Sequence, residues 1–471
     1  MKTIKSVYVN GAFIEPHGTE IVSVISPLNK KEIAQIVYAD EQDTLAAIEA
    51  AKAALPGYSK STINERVEYL TKISAEIEKR IDDLIHATTL EYGAPGERAK
   101  WANLIAATTF SNQAAMLQQY SFSKQVNEST VIMEPVGVAA LFTPWNAVAG
   151  SIAIKVAAAL AAGCTIILKP SEFGSWQAEI IMECIAAAGL PNGVVNMVNG
   201  NGAVITKPIM ESSEVTKISF TGSTLVGRIL AKQAVDTMKR VTLELGGKSA
   251  NILLEDADLA KAIPMALQAG FMNNGQACIA GTRLLVPESK LNEVKDLLFR
   301  ESAKFIVGDP SSADVKIGPL ASQKQYDRIQ QYIQTGISEG GELLTGGLGH
   351  PEGLDQGYYV KPTIFINVNN EMTIAREEIF GPVLSVIAYS NEEEAIQIAN
   401  NSEYGLMAYV SSADEKRAAN VASQLKAGRV LINTLKHDPM APFGGYKNSG
   451  IGRENGVIGL EEFLEAKTLI K

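Results

Sequence analysis

The stretch from Gly137 to Glu172, GVAALFTPWNAVAGSIAIKVAAALAAGCTIILKPSE, joins two apolar segments through an alanine-rich one. GVAALFTP and CTIILKP are short and largely apolar, which is typical of strands buried on both faces. SIAIKVAAALAAG, between them, favours a helix. A strand–helix–strand unit of this kind places its two strands parallel in one sheet.

The same alternation continues along the chain and predicts the fold class. Strand and helix patterns alternate up to RVTLELGG at 240–247, and again from SANILLE at 249–255 to GRVLINT at 428–434. We therefore expect an α/β protein with two parallel-sheet domains, the first of a Rossmann-like, nucleotide-binding kind. The polar, β-prone segment from Phe122 to Pro135 is expected to leave the first domain as an excursion.

An amphipathic helical pattern precedes this alternation, from Thr62 to Ile85, and is expected to stop near Gly93. Thr62 and Glu65 form the sequence signature of a capping box. The apolar residues at helical spacing are Ile63, Val67, Leu70, Ile73, Ile77, Ile81 and Leu84. One long helix is the prediction.

Composition narrows the class of protein. The 471 residues carry a formal net charge of −10 and no long basic run, so nucleic acid is not an expected partner. Three cysteines, an odd and sparse set, indicate a reducing compartment, and the first ten residues lack a signal pattern, so we expect the cytoplasm. No membrane span is expected, because Lys155 and Gly163 interrupt the longest apolar stretch. The four scattered histidines predict no metal site.

One cysteine stands in an unusual setting. NNGQACIAGTR, from Asn273 to Arg283, surrounds Cys278 with small residues, glycines and side-chain amides. A free cysteine is usually a buried and inert residue, and this interpretation holds for Cys164 and Cys184, which fall on apolar strand and helix patterns. Cys278 could instead be reactive, and its neighbours alone do not decide. The three tryptophans are expected mainly as packing residues.

Polar residues also follow several predicted strands, at the sheet edge where ligands bind in open parallel sheets. Lys169 and Glu172 could meet a ribose, and Ser223 in its glycine turn could cap a helix that binds phosphate. Asn146 could donate to an oxyanion, and Glu244 among apolar residues could be a general base with a raised pKa. Each could equally be an ordinary turn or surface residue.

Taken together and in this order, these motifs resemble the aldehyde dehydrogenase superfamily over nearly the whole chain. The resemblance is carried by PWN at 144–146, KPSE at 169–172, FTGS at 220–223, LELGGKS at 243–249, GQACIAGTR at 275–283, EEIFGP at 377–382 and PFGGYKNSGIGRENG at 442–456. One stretch departs from the family: Ala147 and Val148 stand where a large apolar residue and proline are common. The resemblance implies that the helix after Asn146 lines the aldehyde tunnel. The small residues Ala147, Gly150 and Ser151 in that helix suggest a wide tunnel entrance.

The resemblance implies a role for each matching position. Cys278 becomes the nucleophile, Glu244 the general base and Asn146 the oxyanion donor. Lys169 and Glu172 become contacts of the adenosine ribose, and Lys169 is also an implied catalytic residue. Ser223 becomes a contact of the pyrophosphate and Glu378 a contact of the nicotinamide ribose. The remaining implied cofactor contacts are Thr143, Pro144, Trp145, Ser171, Phe220, Gly222, Gly227, Leu245 and Phe380. The implied cofactor is NAD, with NADP possible.

The implied organisation has three units: an NAD-binding domain at 1–121 and 135–246, a catalytic domain at 247–445, and a bridging arm at 122–134 and 446–471. The arm implies a homodimer or homotetramer. The implied reaction oxidises an aldehyde to a carboxylic acid through a Cys278 thiohemiacetal and a thioester that Glu244 helps to hydrolyse. Three competing functions stay open: a CoA-acylating aldehyde dehydrogenase, a cysteine hydrolase without a redox cofactor, and a scaffold that has lost catalysis.

Overall fold

The strand–helix–strand unit predicted at 137–172 begins the parallel part of the first large sheet. The computed structural model of the chain describes residues 2–470. The strands along the chain are β1 (Lys2–Ile4), β2 (Val7–Val9), β3 (Ala12–Ile14), β4 (Ile21–Ile25), β5 (Glu32–Val37), β6 (Ser123–Val126), β7 (Ser129–Pro135), β8 (Val138–Phe142), β9 (Thr165–Lys169), β10 (Val195–Val198), β11 (Val215–Thr221), β12 (Arg240–Glu244), β13 (Ala250–Leu253), β14 (Arg283–Pro287), β15 (Glu342–Thr345), β16 (Thr363–Ile366), β17 (Val383–Tyr389), β18 (Met407–Ser411), β19 (Arg429–Ile432), β20 (Gly450–Ile451) and β21 (Leu464–Leu469).

The helices connect and cover these strands. They are α1 (Glu41–Tyr58), α2 (Ile63–Lys79), α3 (Ile81–Tyr92), α4 (Gly96–Leu117), α5 (Val148–Ala162), α6 (Ser175–Ala187), α7 (Gly202–Glu211), α8 (Thr224–Ala234), α9 (Leu259–Phe271), α10 (Leu291–Ser302), α11 (Gln323–Ser338), α12 (Thr373–Arg376), α13 (Glu392–Asn400), α14 (Glu415–Ser423) and α15 (Gly456–Glu461). Across residues 2–470, none of these helices is both long enough and apolar enough to span a membrane.

Two large sheets confirm the predicted α/β class. The first has the order β20-β12-β11-β8-β9-β10-β2-β3, and the second β15-β16-β17-β14-β13-β18-β19. Neighbouring strands from β12 to β10 are parallel, as are those from β16 to β19. The strands that carry the motifs, β8 and β9, are buried throughout, which explains their fully apolar sequences.

The excursion after Phe122 forms a small antiparallel sheet of order β21-β7-β6. The C-terminal strand pairs with β7 from Leu464 opposite Pro135 to Leu469 opposite Thr130. The short strand Gly450–Ile451 lies instead beside β12 in the first large sheet, although the arm predicted from sequence begins at 446. The division into three units stays a prediction, and the pairings place the C-terminal part of the small sheet at Leu464–Leu469.

The prediction of one long helix from Thr62 to Ile85 is wrong, because this segment forms two helices, α2 and α3. The chain leaves helical geometry at Arg80, with φ −106° and ψ 17°, between α2 and α3. The apolar spacing runs on across this break, so the pattern could not reveal it. The predicted capping box is present, with the Thr62 N–H donating to Glu65 Oε2 at 2.7 Å, and Gly93 ends α3 with φ 82°.

Candidate active site

Cys278 lies on a loop with an unusual backbone. After α9 ends at Phe271, Asn273, Asn274 and Gly275 have φ values of 54°, 59° and 72°, which is the left-handed region. Asparagine and glycine tolerate this region better than other residues do. A Cβ on Gly275 would approach the backbone carbon of Gly381 to 2.2 Å, so the loop and the EIFGP segment are in close contact.

Buried amides hold this loop in place. The Asn274 side chain donates to the carbonyls of Gly93 and Pro319 at 3.2 and 3.1 Å and accepts from the Gly318 N–H at 2.8 Å. Gln276 donates to the Tyr92 hydroxyl at 3.1 Å and accepts from the Ala321 N–H at 3.0 Å. The loop before Cys278 is therefore fixed both to the end of α3 and to the segment that precedes α11.

Replacing Asn274 by glycine should lower the free energy of unfolding by about 2 kcal/mol or more. The substitution leaves several buried backbone groups without a hydrogen-bond partner, at a cost of about 1–3 kcal/mol each. Glycine keeps the left-handed backbone accessible, so only the amide is lost. Urea denaturation would measure the change. Asn367→Gly is the matched control, since Asn367 also has a positive φ of 56° but is exposed. Equal effects of the two substitutions would contradict the role given to the amide.

Cys278 is a partly exposed residue, but the surroundings of its thiol favour the neutral form. Burial raises the pKa of Cys278 to about 12, and the Glu378 and Glu244 carboxylates contribute in the same direction. Gly247 lies against it so closely that a Cβ there would approach the Cys278 carbonyl oxygen to 2.2 Å. A positive charge or a base must therefore act on the thiol before it can be a strong nucleophile.

Asn146 contacts the loop that carries Cys278. It follows β8 and precedes α5, and its side-chain nitrogen donates to the carbonyl of Gln276 at 2.8 Å. Asn273 donates in turn to the carbonyl of Asn146 at 2.9 Å and to that of Gln276 at 3.1 Å. The amide of Asn146 thus lies beside the backbone that leads into Cys278, with a second N–H available for another acceptor.

Glu244 ends β12 and is only 2% exposed, and neither of its carboxylate oxygens has a hydrogen-bond partner. Burial raises the pKa of Glu244 well above that of an ordinary carboxyl group, and Glu454 adds to this, whereas Lys155 and Arg453 lower it. Gly444 packs against it, and a Cβ there would come within 2.6 Å of Oε1. The raised pKa expected from the sequence is confirmed.

A cleft of about 890 Å³ opens at the carboxyl ends of β8, β9 and β11. Nine of the residues predicted to bind the cofactor line it: Thr143, Pro144, Trp145, Lys169, Ser171, Glu172, Phe220, Gly222 and Ser223. The hydroxyl of Thr143, one of these residues, is buried and has no hydrogen-bond partner. Ser223 caps α8, accepting from the Val226 N–H at 3.4 Å.

The Glu172 carboxylate is held at this cleft by two groups. Lys169 donates to Glu172 Oε2 at 3.0 Å, and the Gly202 N–H, in the first turn of α7, donates to Oε1 at 3.2 Å. Burial lowers the pKa of Lys169, while Glu172 acts in the opposite direction. Sequence patterns carry no signal for Gly202, because the βα turn before α7 lacks a recognisable motif.

The remaining predicted cofactor residues are not among those that line this cleft. Glu378 accepts from the Gly247 N–H at 3.0 Å, and burial raises the pKa of Glu378 to about 7. Phe380 packs edge-on against Trp145 with ring centroids 5.3 Å apart. Gly227 lies on α8 against Leu245, where a Cβ would approach that side chain to 2.4 Å, so both pack the helix onto the end of β12.

A second cavity of about 600 Å³ lies next to the loop that carries Cys278. Ala277 and Ile279, the neighbours of Cys278, line it together with Asn273. Arg98 and Trp101, from the first turns of α4, form part of its wall. The small residues Ala147, Gly150 and Ser151, expected to shape the entrance, are not among its lining residues.

The sequence profile described as "Aldehyde dehydrogenase family" matches residues 13–469. The chain belongs to the aldehyde dehydrogenase family. It is therefore an enzyme that oxidises aldehydes, and the resemblance found in the motifs is confirmed.

Relatives of this aldehyde dehydrogenase cover its whole length. A Pseudomonas protein named 3-succinoylsemialdehyde-pyridine dehydrogenase is 45% identical, over 100% of this chain and 99% of the relative. The crystal structure of a mutant aldehyde dehydrogenase C of Pseudomonas syringae, in complex with NAD+ and octanal, has a TM-score of 0.98 and 41% identity, covering 99% and 96% of the two chains. An aldehyde dehydrogenase of Mycobacterium tuberculosis complexed with NAD+ has a TM-score of 0.97 and 37% identity, covering 100% and 98%.

Of the three tryptophans of this aldehyde dehydrogenase, expected mainly as packing residues, two line a cavity, and one of these, Trp145, is also a predicted cofactor contact in the 890 Å³ cleft. Trp101 is 49% exposed and lines the second cavity. No sequence pattern singles out Arg98, which lines the same cavity. Both lie in a helix far from the motifs along the chain, and only folding brings them near Cys278. No group of three or more potential metal ligands occurs within residues 2–470.

Proposed function

We propose that this aldehyde dehydrogenase oxidises an aldehyde to a carboxylic acid with NAD, using Cys278 as nucleophile and Glu244 as the base that hydrolyses the thioester. The observation that carries the proposal is the position of Cys278, whose neighbours Ala277 and Ile279 line the 600 Å³ cavity and whose surroundings include Asn146 and Glu244. The aldehyde would enter through that cavity and meet the thiol at its inner end.

The 890 Å³ cleft fits a dinucleotide. The Lys169 and Glu172 side chains offer donors and acceptors to ribose hydroxyls, and the N-terminus of α8 at Ser223 suits a pyrophosphate. The unpartnered Thr143 hydroxyl, and the Glu378 carboxylate outside the lining of this cleft, would be further polar contacts. When bound, NAD would supply the acceptor for the hydride that leaves the substrate carbon.

The chain's own groups would perform the remaining chemistry. The Cys278 thiol loses its proton and its sulfur attacks the aldehyde carbon, so that a C–S bond forms and the carbonyl oxygen becomes an oxyanion. Asn146, through its free N–H, and the Cys278 backbone N–H would stabilise that oxyanion. The high pKa of Cys278 indicates that the thiol stays neutral until Glu244, through a water, or a nearby positive charge draws the proton away.

Glu244 would then act on the thioester that remains after hydride loss. A buried carboxylate without hydrogen-bond partners is a strong base once ionised, because no donor stabilises its charge. It would take a proton from a water molecule whose oxygen attacks the acyl carbon, and the C–S bond would break to release the carboxylic acid and the thiol. This role favours hydrolysis over transfer to CoA, which needs no such base.

A cysteine hydrolase and a non-catalytic scaffold fit the site less well. A cysteine hydrolase without a redox cofactor would have no use for the 890 Å³ cleft and its Lys169–Glu172 pair. A scaffold without catalysis would not need a buried, unpartnered Glu244 beside Cys278. The small β21-β7-β6 sheet, with two edge strands, supports the proposal of a homodimer or homotetramer bridged by this arm.

An aldehyde panel with NAD, read by the absorbance of the reduced nicotinamide, tests the proposed function, with and without CoA. Acid formation that needs NAD and not CoA is the expected result. Oxidation that proceeds only when CoA is present would favour an acylating dehydrogenase, and ester cleavage without NAD reduction would favour a hydrolase.

Glu172 should give a preference for NAD over NADP. The 2′-phosphate of NADP would bring about two negative charges to the carboxylate, a cost on the order of 1 kcal/mol or more at short range. Lys169 offsets part of this. Glu172→Gln should therefore raise kcat/KM for NADP relative to NAD by about threefold to tenfold, measured with one aldehyde. A wild-type enzyme that prefers NADP would contradict this assignment.

A further inference from the structure

The wall of the 600 Å³ cavity carries a cation that has no obvious structural use. Arg98 lies in the first turn of α4 and lines the cavity. Its Nε donates only a long hydrogen bond, of 3.4 Å, to Asn273 Oδ1. Within residues 2–470, no carboxylate lies within 4 Å of the Arg98 guanidinium. The terminal nitrogens of Arg98 therefore have donors left for a ligand.

The position of Arg98 destabilises its positive charge. A cation in the first turn of a helix meets the positive end of the helix dipole, so it is disfavoured there. Burial also lowers the pKa of Arg98, and Tyr92 is the group that acts against this. A guanidinium kept in such a place without a counter-ion is poorly explained by stability, and an anionic ligand would relieve both penalties.

Trp101 holds the guanidinium in a defined orientation. Arg98 Cζ lies 4.4 Å from the centroid of the Trp101 ring, one helical turn away. This cation–π contact fixes the plane of the guanidinium and leaves its edge free for a carboxylate. The apolar residues Phe271, Met272 and Phe443 also line the cavity and offer contacts to an apolar part of a ligand.

The other charged groups that line the cavity do not neutralise Arg98. Glu97 is the acidic residue of the described lining, but its side chain is 93% accessible and it lies 3.8 Å from Lys316, a cation that offsets its charge. His437 also lines the cavity, and burial, Arg429 and Arg98 lower its pKa, which favours its neutral form. The cavity beside Arg98 is therefore electropositive.

We propose that this enzyme selects aldehydes that carry a carboxylate at the end remote from the aldehyde group, and that Arg98 binds that carboxylate. Asn273 links Arg98 to the loop that carries Cys278, since its side chain accepts from Arg98 and donates to the carbonyls of Asn146 and of Gln276, two residues before Cys278. A substrate anchored at Arg98 would thus extend its aldehyde toward the thiol. This inference rests on the proposed function.

The experiment compares matched pairs of substrates that differ in charge but little in shape. 4-Formylbenzoate is compared with its neutral methyl ester, and 6-oxohexanoate with hexanal, each with NAD. The wild-type kcat/KM should be at least about tenfold higher for the carboxylate of each pair, since a charge-assisted pair is worth about that factor or more. Equal or lower kcat/KM for both carboxylates would overturn the inference without needing any variant.

Substitution then assigns the preference to one side chain. Arg98→Gln should reduce the carboxylate-to-neutral ratio of kcat/KM by about tenfold, chiefly through KM, and Arg98→Lys should restore part of it. Lys100→Gln is the matched control, because Lys100 lies two residues further on the same helix but is exposed and outside the cavity. A ratio unchanged in Arg98→Gln, or lowered equally in Lys100→Gln, would overturn the assignment. Failure to oxidise any aldehyde with NAD would instead refute the proposed function.

Discussion

Replacing Cys278 by alanine should abolish aldehyde oxidation, with kcat falling by about 10⁴-fold or more, because the reaction loses the atom that forms the covalent bond. The substitution removes one sulfur atom from a partly exposed residue, so we expect the fold to be retained. Steady-state kinetics with NAD would measure the loss, and circular dichroism would check the fold. Binding of NAD should persist, since the cleft that would hold it is lined by other residues.

The two remaining cysteines are the matched controls. Cys164 is fully buried and Cys184 is 2% exposed, and burial raises their pKa values to about 11 and 12. Cys164→Ala and Cys184→Ala should therefore keep kcat within a few-fold. Iodoacetamide should inactivate the wild type by labelling Cys278, which peptide mapping would reveal. Inactivation with the label on Cys184 alone would overturn the assignment of the nucleophile.

Glu244→Gln should separate the two halves of the reaction. Glutamine keeps the shape and polarity of the side chain but cannot accept a proton, and losing a general base typically slows its step by about 10²–10⁴-fold. If Glu244 serves only hydrolysis, rapid mixing should show a burst of reduced NAD near one equivalent per active site. A very slow steady state should follow, with the acyl group found on Cys278 by intact mass.

The same variant decides how the thiol is activated. A slower burst would mean that Glu244 also takes the proton of Cys278, and an unaltered burst would assign that task to another charge. In the wild type, the hydrolytic rate should rise with pH above the ordinary carboxyl range, because only the ionised Glu244 accepts a proton and its pKa is raised. Normal turnover in Glu244→Gln would show that this residue is only a strand-end carboxylate.

Much of the fold could be predicted from local patterns. The apolar stretches at 138–142 and 165–169 are buried parallel strands, and the residues that follow them, Asn146 and Glu172, lie at the carboxyl edge of the sheet as expected. The spacing of apolar residues gave a wrong prediction where it continues across a break in helical geometry, as at Arg80 between α2 and α3. An apolar stripe records which face is buried, but not whether the helix is continuous.

The sequence by itself determined the α/β class, the family and the residues with chemical capacity, because these depend on side-chain type and on spacing along the chain. Only the tertiary structure decided what surrounds those residues. Three features depend on groups distant along the chain. They are the desolvation of Glu244, the three hydrogen bonds of the Asn274 amide, and the position of Arg98 in the wall of the cavity that the neighbours of Cys278 also line. Burial, electrostatic coupling and cavity shape arise from such long-range contacts, so no local pattern can contain them.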